Sequence, residues 1–317
     1  MLKAYRKIFQ TARDHDLKTL KTQKKDALAS FLHHRELKAT PFSDQFTNRA
    51  WAANVALAAI DEAVLNAIER DEMTEAGMVA NLAHRGYEFI AASIVAECTG
   101  LYPLSEVSAR TALEISVKLR YILSGDIRDR FAAYLKSYGN TVDAGLRQWV
   151  KKTEQMLPEE ADYNLTGIQK MEEFNTWRRD AVTSTFGPTN EEWPKRVDEI
   201  FEKAGLGVLY RTVYWRLCHQ THGEAEDTIG YIFMQISKGL ESDEWKVSAM
   251  ETVVWTTWTA HIVLQSYLET CALFYEAYVG KRSETIELAK REINRDTSSY
   301  ARWMAHPTAI PPHIGYA

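Results

Sequence analysis

The stretch SEVSARTALEISVKLRYILS, residues 105–124, decides the fold. Its apolar residues Ala112, Ile115, Leu119 and Ile122 are three or four positions apart, which is the spacing of one face of an α-helix. The same period continues on both sides of the stretch, and no run of alternating β-branched residues is bounded by hairpin turns. The sequence therefore predicts an all-α fold.

Composition and cysteine spacing narrow the class of protein. The chain has 317 residues, of which 45% are hydrophobic and 26% are charged, so it can bury a full core and is not of a disordered or collagenous type. Cys98, Cys218 and Cys271 are far apart and encode neither a disulfide framework nor a zinc ribbon. The N-terminus lacks the apolar core of a secretory signal, and the longest uncharged run, residues 252–268, is too short and too polar to span a membrane. We expect a cytoplasmic protein without a membrane segment.

Helical periods and breaking residues predict the order of the helices. Gly100 and Pro103 separate the second helix from the third, with Ser105 as an N-cap. The turn-rich FGPTNEEWP, residues 186–194, is the best internal linker. The predicted helices are Thr47–Arg70, Glu75–Thr99, Ser105–Ser124, Ile127–Met156, Ile168–Thr185, Trp193–Ala204, Val208–Thr221, Glu244–Tyr278 and Ser283–Arg295.

The sequence predicts three regions. Residues 1–40 form a basic helical extension, since they hold ten Lys or Arg against four Asp or Glu. Residues 45–295 form a helical bundle, and residues 296–317 form an extended tail that contains prolines. The net charge of −5 shows no general affinity for nucleic acid. Within the extension, however, Lys18, Lys21 and Lys25 form either a solvated face or a contact with RNA phosphates.

The densest cluster of polar and aromatic residues is YRTVYWRLCHQTHGE, residues 210–224. It holds Arg216, His219, His222 and Glu224 within nine positions. In a purely structural interpretation, His222 ends a helix, where its side chain bonds to the last carbonyl groups. In a second interpretation, His219 and His222 lie on one helical face and bind a metal together with Glu224.

A third interpretation is general acid–base catalysis on a phosphodiester. A metal-independent ribonuclease needs a group with a pKa near neutral to move the proton of the 2′-hydroxyl, and a cation to hold the phosphate as negative charge builds on it. His222 and Arg216 suit these roles, with His219 or Glu224 assisting. Six positions place Arg216 and His222 about 120° apart around a helix and about 9 Å apart along its axis. The two groups converge if the helix ends near residue 223 or if a second subunit completes the site, so this interpretation predicts a homodimer.

A further polar pair lies on the 105–124 helix. Arg110 and Glu114 are one turn apart on one face, so their side chains can touch. They form an exposed ion pair, a buried structural pair, or a pair that orients Arg216 or His222. The sequence leaves these three roles open.

These motifs resemble the HEPN superfamily of all-α proteins. Its loose signature is an arginine followed, after four to six residues, by a histidine, and Arg216-LCHQT-His222 has five residues between the two. The Arg110-Thr-Ala-Leu-Glu114 motif, together with a tyrosine-led helix from Tyr214 to His222, also resembles an uncharacterised bacterial HEPN-like family.

The resemblance implies a fold and a function. The fold would be an HEPN-like bundle with added N-terminal and C-terminal helices, forming a homodimer with both Arg–His sets in one cleft. The function would be a metal-independent endoribonuclease that acts on RNA without a cofactor, supported by Arg110, Glu114 and Tyr214, as a toxin or phage-defence effector with an antitoxin or defence partner. A non-catalytic interaction or regulatory module is the alternative, and a metal-binding helical protein is the third possibility.

Overall fold

The computed structural model describes residues 46–70, 73–156, 161–222 and 243–305. Within these ranges the chain forms helices and turns and no strand, so the predicted all-α fold is confirmed. The predicted basic extension, with Lys18, Lys21 and Lys25, lies outside the described residues.

Several helix boundaries follow the sequence periods closely. In chain order the elements are α1 (Thr47–Glu69), α2 (Met73–Cys98), α3 (Tyr102–Leu123), α4 (Ile127–Met156), α5 (Ala161–Phe186), α6 (Val197–Lys203), α7 (Gly207–Leu209), a π-helical turn (Tyr210–Tyr214), α8 (Trp215–His222), α9 (Asp243–Val279) and α10 (Glu284–Ala305). Helix α4 has the predicted bounds, α1 ends one residue before its prediction, and α9 extends one residue beyond its prediction at each end, whereas α5 begins seven residues before its prediction.

The predicted capping role of Ser105 is wrong. Helix α3 begins at Tyr102, because Pro103 is tolerated in a first turn, where backbone N–H groups have no partner within the helix. Ser105 therefore lies inside the helix and is buried. Its hydroxyl donates to Glu97 Oε1 at 2.9 Å, so it acts in the core and not at a helix end.

The final helix is longer than predicted. Helix α10 continues past Arg295 to Ala305, since residues 296–305 contain no proline or glycine to interrupt it. The extended tail therefore does not begin at residue 296. Residues 306–317 lie outside the described part of the chain.

The described chain divides into two compact units. The first comprises the residues up to Arg120 together with those from Ile200, and the second comprises Tyr121–Glu199. In the second unit, α4 and α5 pack against each other as a hairpin.

Helix α1 is the centre of the first unit and is buried on most of its sides. It packs against α2, α9 and α10, and its alanines let the neighbouring backbones approach closely. Helices α2 and α9 also touch closely: a Cβ added at Gly86 would lie 2.8 Å from the ring of Tyr267. The Tyr267 hydroxyl donates to the carbonyl of Ala83 at 2.7 Å, so α2 and α9 are joined by one polar bond within an apolar contact.

An ion pair lies inside this core. Arg49 of α1 and Glu97 of α2 are 1% and 3% exposed, and they form two parallel hydrogen bonds of 2.7 and 2.8 Å. Ser105 and Thr257 also donate to the Glu97 carboxylate, at 2.9 and 3.2 Å. Because a buried charge is tolerated only when it is paired and hydrogen-bonded, this network fixes how α1, α2, α3 and α9 fit together.

His261 lies in the same core. It is buried, and its Nδ1 is 2.7 Å from the carbonyl of Thr257, so it is a hydrogen-bonded core histidine. Burial, together with the charge of Arg49, lowers the pKa of His261 to about 3. This histidine is therefore neutral at physiological pH.

Among the described helices, α1 is long and apolar enough to cross a membrane, with a mean hydropathy of 1.3 over its best window. However, 67% of that window is buried inside the protein. Helix α1 therefore has the pattern of a core helix.

Candidate functional site

The candidate site is built around a π-helical turn between α7 and α8. In such a turn one extra residue is inserted into the helix, which shifts the side chains that follow, and turns of this kind occur often at functional sites. Here the turn stacks Tyr210 on Tyr214 with ring centroids 5.4 Å apart, and Phe201 contacts both rings. This aromatic packing holds the start of α8 in place.

The hydroxyl of Tyr214 joins this turn to α3. It donates to Glu114 Oε1 at 2.8 Å and accepts a hydrogen bond from Arg110 Nη2 at 3.3 Å. Arg110 Nε lies 3.3 Å from Glu114 Oε1, so the predicted contact between these two residues is confirmed. Lys118 Nζ is 3.7 Å from the other carboxylate oxygen. Residues 100 or more positions apart in sequence thus form one cluster.

The electrostatics of this cluster favour a structural clamp over a proton-transfer group. Burial raises the pKa of Tyr214 above its usual value, and the hydrogen bond to Glu114 raises it further. The hydroxyl therefore keeps its proton at neutral pH, while the Glu114 carboxylate is held between Arg110 and Lys118. The cluster fixes α8 against α3 without a free acid or base.

Cys218, one turn beyond Tyr214, adds to the same surroundings. Burial raises the pKa of its thiol, and the nearby positive charge of Arg110 opposes this effect only in part. Since the thiolate is the reactive form of cysteine, Cys218 is not activated as a nucleophile.

Arg216 faces a different neighbour. Its guanidinium carbon lies 4.3 Å from the ring centroid of Trp255 on α9, which is a close cation–π contact. Its Nε is buried and has no hydrogen-bond partner, and Arg216 forms no ion pair with any described residue. The arrangement leaves a guanidinium held by an aromatic ring and without a carboxylate partner among the described residues.

The other residues of the predicted catalytic set are only partly described. Helix α8 includes the positions of His219 and His222, but their side chains are outside the described part of the structure, as is Glu224. Positions 216 and 222 lie on one regular α-helix, so the separation of about 120° and about 9 Å holds for their backbone. The structure thus brings Arg110, Glu114 and Tyr214 together, and it places Arg216 on Trp255.

Sequence reasoning missed two features of the site. The first is the role of Trp255, because an aromatic-rich helix gives no sign of which ring supports a distant arginine. The π-helical turn was also missed, since an inserted residue changes the helical period over one turn only. A short run of aromatic and β-branched residues, such as Tyr-Arg-Thr-Val-Tyr, is the one local signal, because such residues are weak helix formers.

The metal-binding alternative has no further support among the described residues. Within 46–70, 73–156, 161–222 and 243–305, no group of three or more described His, Cys, Asp or Glu side chains surrounds a possible metal position. The side chains of His219, His222 and Glu224 are not among the described ones, so this metal-binding set stays a prediction.

Fold and site together define an all-α protein in which a Tyr–Arg–Glu cluster joins two helices beside an arginine held on a tryptophan. The chain belongs to the family of unknown function DUF5677, which matches residues 78–239, just over half of its length. The matched part includes Arg110, Glu114, Tyr214, Arg216 and His222. No curated protein and no solved structure matches the chain.

The clamp role of Tyr214 can be measured as stability. Replacing Tyr214 by phenylalanine removes the hydroxyl shared by Arg110 and Glu114, and we expect the free energy of unfolding to fall by about 1–2 kcal/mol. Urea titration followed by circular dichroism measures this change. Tyr210→Phe is the matched control, since the Tyr210 hydroxyl makes no hydrogen bond to a described residue, and it should change the value by less than about 0.5 kcal/mol. Equal losses in the two variants would contradict the clamp.

Proposed function

We propose that the chain is a metal-independent, HEPN-like endoribonuclease in which Arg216 binds the scissile phosphate and His222 moves the proton of the 2′-hydroxyl. The observation that carries the proposal is the position of Arg216. Its guanidinium rests on Trp255 at 4.3 Å and has no carboxylate partner among the described residues, so those residues leave it as a positive charge that a phosphate can meet.

The reaction that suits these two groups is an internal transfer. The neutral imidazole of His222 removes the 2′-hydroxyl proton, and the 2′-oxygen bonds to phosphorus while the bond to the 5′-oxygen breaks. The 5′-oxygen leaves with a proton, supplied by a second acid such as His219 or by water. The products are a 2′,3′-cyclic phosphate and a 5′-hydroxyl. Arg216 stabilises the extra negative charge that the phosphate carries during this step.

The clamp around Tyr214 supports the pair indirectly. Because it fixes the first turn of α8 against α3, it sets the position from which Arg216 extends toward Trp255. Arg110 and Glu114 are already bonded to each other and to Tyr214, so they act here as positioning residues and not as catalytic ones.

The biological setting is proposed from the HEPN resemblance alone. It is a cytoplasmic homodimer in which two Arg–His sets share one cleft, acting as a toxin or phage-defence effector with an antitoxin or defence partner.

The second candidate is a non-catalytic interaction or regulatory module. One observation favours it: the polar groups of Arg110, Glu114 and Tyr214 bond to one another, as they do in a purely structural cluster. In that case Arg216 would only pack on Trp255.

The end chemistry of cut RNA tests the proposal. Purified full-length protein is incubated with labelled total RNA with and without EDTA, and the fragment ends are identified by mass spectrometry. We expect cleavage at equal rates in both samples, with 2′,3′-cyclic phosphate and 5′-hydroxyl ends. Absence of cleavage would favour the non-catalytic module, and cleavage that EDTA abolishes would favour a metal site.

A further inference from the structure

The hairpin of the second unit, α4 and α5, carries a surface that takes no part in the proposed reaction. Its two helices run antiparallel. Arg128 near the start of α4 donates to the carbonyls of Thr185 and Phe186 at the end of α5, so the start of one helix lies beside the end of the other. Further along, Asn175 donates to Asp143 at 3.2 Å. These contacts set which residues of α4 lie beside which residues of α5.

Large aromatic side chains are exposed on this hairpin. Tyr138 and Trp149 of α4, and Phe174 and Trp177 of α5, are between 50% and 63% exposed. The rings of Phe174 and Trp177 stack with an interplanar angle of 10°, and the guanidinium carbon of Arg178 lies 4.2 Å from the Phe174 centroid. A group of exposed aromatic side chains on one hairpin is a candidate binding surface.

The helical period places most of these residues on one side of the hairpin; Trp177 is the exception, since it lies opposite the buried Ile168 around α5. On α4, Tyr138, Trp149 and Lys152 lie about 60–120° to one side of the buried line through Leu146 and Thr153. On α5, three residues lie about 60–120° from the buried Ile168 in the same rotational sense. They are Met171, Phe174 and Arg178.

Antiparallel helices are related by a rotation of 180° about an axis normal to the plane that contains both. Such a rotation leaves the two sides of the plane in place, so equal offsets on the two helices face the same way. We call this side the aromatic–basic face and define it by Tyr138, Trp149, Lys152, Met171, Phe174 and Arg178.

The described acidic residues are confined to one side of the hairpin. The face has two cations, Lys152 and Arg178, and no carboxylate. All the acidic residues of α4 and α5 with described side chains lie about 40–140° to the other side of the buried line; they are Asp129, Asp143, Glu154, Glu172, Glu173 and Asp180. The aromatic–basic face is therefore complementary to an anion that also has flat apolar surfaces.

We propose that the aromatic–basic face binds single-stranded RNA. Unpaired bases stack on exposed aromatic rings, and phosphates pair with Lys152 and Arg178, which is how proteins bind single strands without reading their sequence. A duplex would not expose the faces of its bases to these rings. A second copy of the chain fits less well, since a symmetric contact would bring Lys152 and Arg178 toward their own counterparts. The choice of RNA as the ligand rests on the proposed function.

Two adjacent lysines give a matched test. Lys152 belongs to the face, whereas Lys151 is exposed about 100° away, among the acidic residues. Binding is measured by fluorescence anisotropy with the full-length protein and a labelled single strand of about 20 nucleotides, a length that exceeds a typical single-strand site. The strand carries 2′-O-methyl groups, so it has no 2′-hydroxyl and cannot be cut by internal transfer.

We expect Lys152→Glu to raise the Kd about tenfold and to reduce the dependence of log Kd on log salt concentration by about one unit, because phosphate contacts release counterions. Lys151→Glu makes the same change in net charge and should raise the Kd by less than about threefold. Trp149→Ala should raise the Kd about tenfold through lost stacking. Lys152→Arg keeps the charge and should bind as the parent does.

Three results would overturn the proposal: no binding by the parent, equal effects of the two lysine variants, or a dimer that Trp149→Ala dissociates while RNA affinity is unchanged. RNA binding by this face and RNA cleavage at Arg216 and His222 can fail independently of each other. A parent protein that binds the methylated strand through this face but leaves unmodified RNA intact contradicts the ribonuclease alone. One that cuts RNA while Lys151→Glu and Lys152→Glu bind alike contradicts this surface alone.

Discussion

Replacing Arg49 by methionine is expected to lower the free energy of unfolding by about 3–5 kcal/mol, because the Glu97 carboxylate then stays buried without a counter-charge. Ser105 and Thr257 would still donate to Glu97, but two hydroxyl groups do not replace a bidentate guanidinium. Since a typical domain has only about 5–15 kcal/mol of stability, we expect a large fall in the urea midpoint. Circular dichroism of the full-length chain in urea measures it.

A double variant separates the ion pair from simple packing. Removing both charges in Arg49→Met/Glu97→Leu takes away the unpaired carboxylate, so it should cost less than Arg49→Met alone. The hydroxyls of Ser105 and Thr257 lose their acceptor in that variant, so the stability should return only in part. If the double variant lost the sum of the two single losses, the two groups would be independent and the pair would not organise the core.

The sequence predicted most helices because their signals are local. Helix α4 has the predicted bounds Ile127–Met156, and a long apolar period with a breaker at each end is enough to explain this agreement. Gly100 was also predicted to end α2, and it has the positive φ of 74° that glycine adopts at helix ends. Ser105 failed as a cap because the same residue type that suits a helix end can also donate to a buried carboxylate.

The polar core and the site depended on contacts between distant positions. Arg49 and Glu97 are 48 positions apart, and charged residues are seldom fully buried, so nothing local predicts their pairing. The contact of Arg110 with Glu114 was predictable because i and i+4 are neighbours on a helix. Tyr214 reached them only through the fold, 100 positions away from Glu114. The sequence therefore identified Arg110, Glu114 and Tyr214 as members of the site, but it did not show that they act together as a structural clamp.

Under the proposed function, replacing His222 by alanine should lower the rate of RNA cleavage by about 10²–10⁴-fold, which is the usual contribution of a positioned acid–base group. Arg216→Ala should lower it by about 10²–10³-fold, because the phosphate loses a cation that is held in advance on Trp255. Single-turnover cleavage of an end-labelled RNA in the presence of EDTA measures both variants. Because the two groups act on one transition state, the double variant should be little slower than the slower single one.

Arg211→Ala is the matched control, since Arg211 is an exposed arginine in the same helical segment and lies over the Tyr210 ring at 5.5 Å. Its loss removes the same charge and should leave the cleavage rate within about twofold, because an exposed charge away from the phosphate is largely screened. Arg216→Lys keeps the charge but not the planar donors, so its rate should fall between those of the parent and Arg216→Ala. Cleavage by Arg216→Ala and His222→Ala at the parent rate would contradict the mechanism. A parallel fall in Arg211→Ala and Arg216→Ala would instead assign the effect to net charge, which both substitutions change by the same amount.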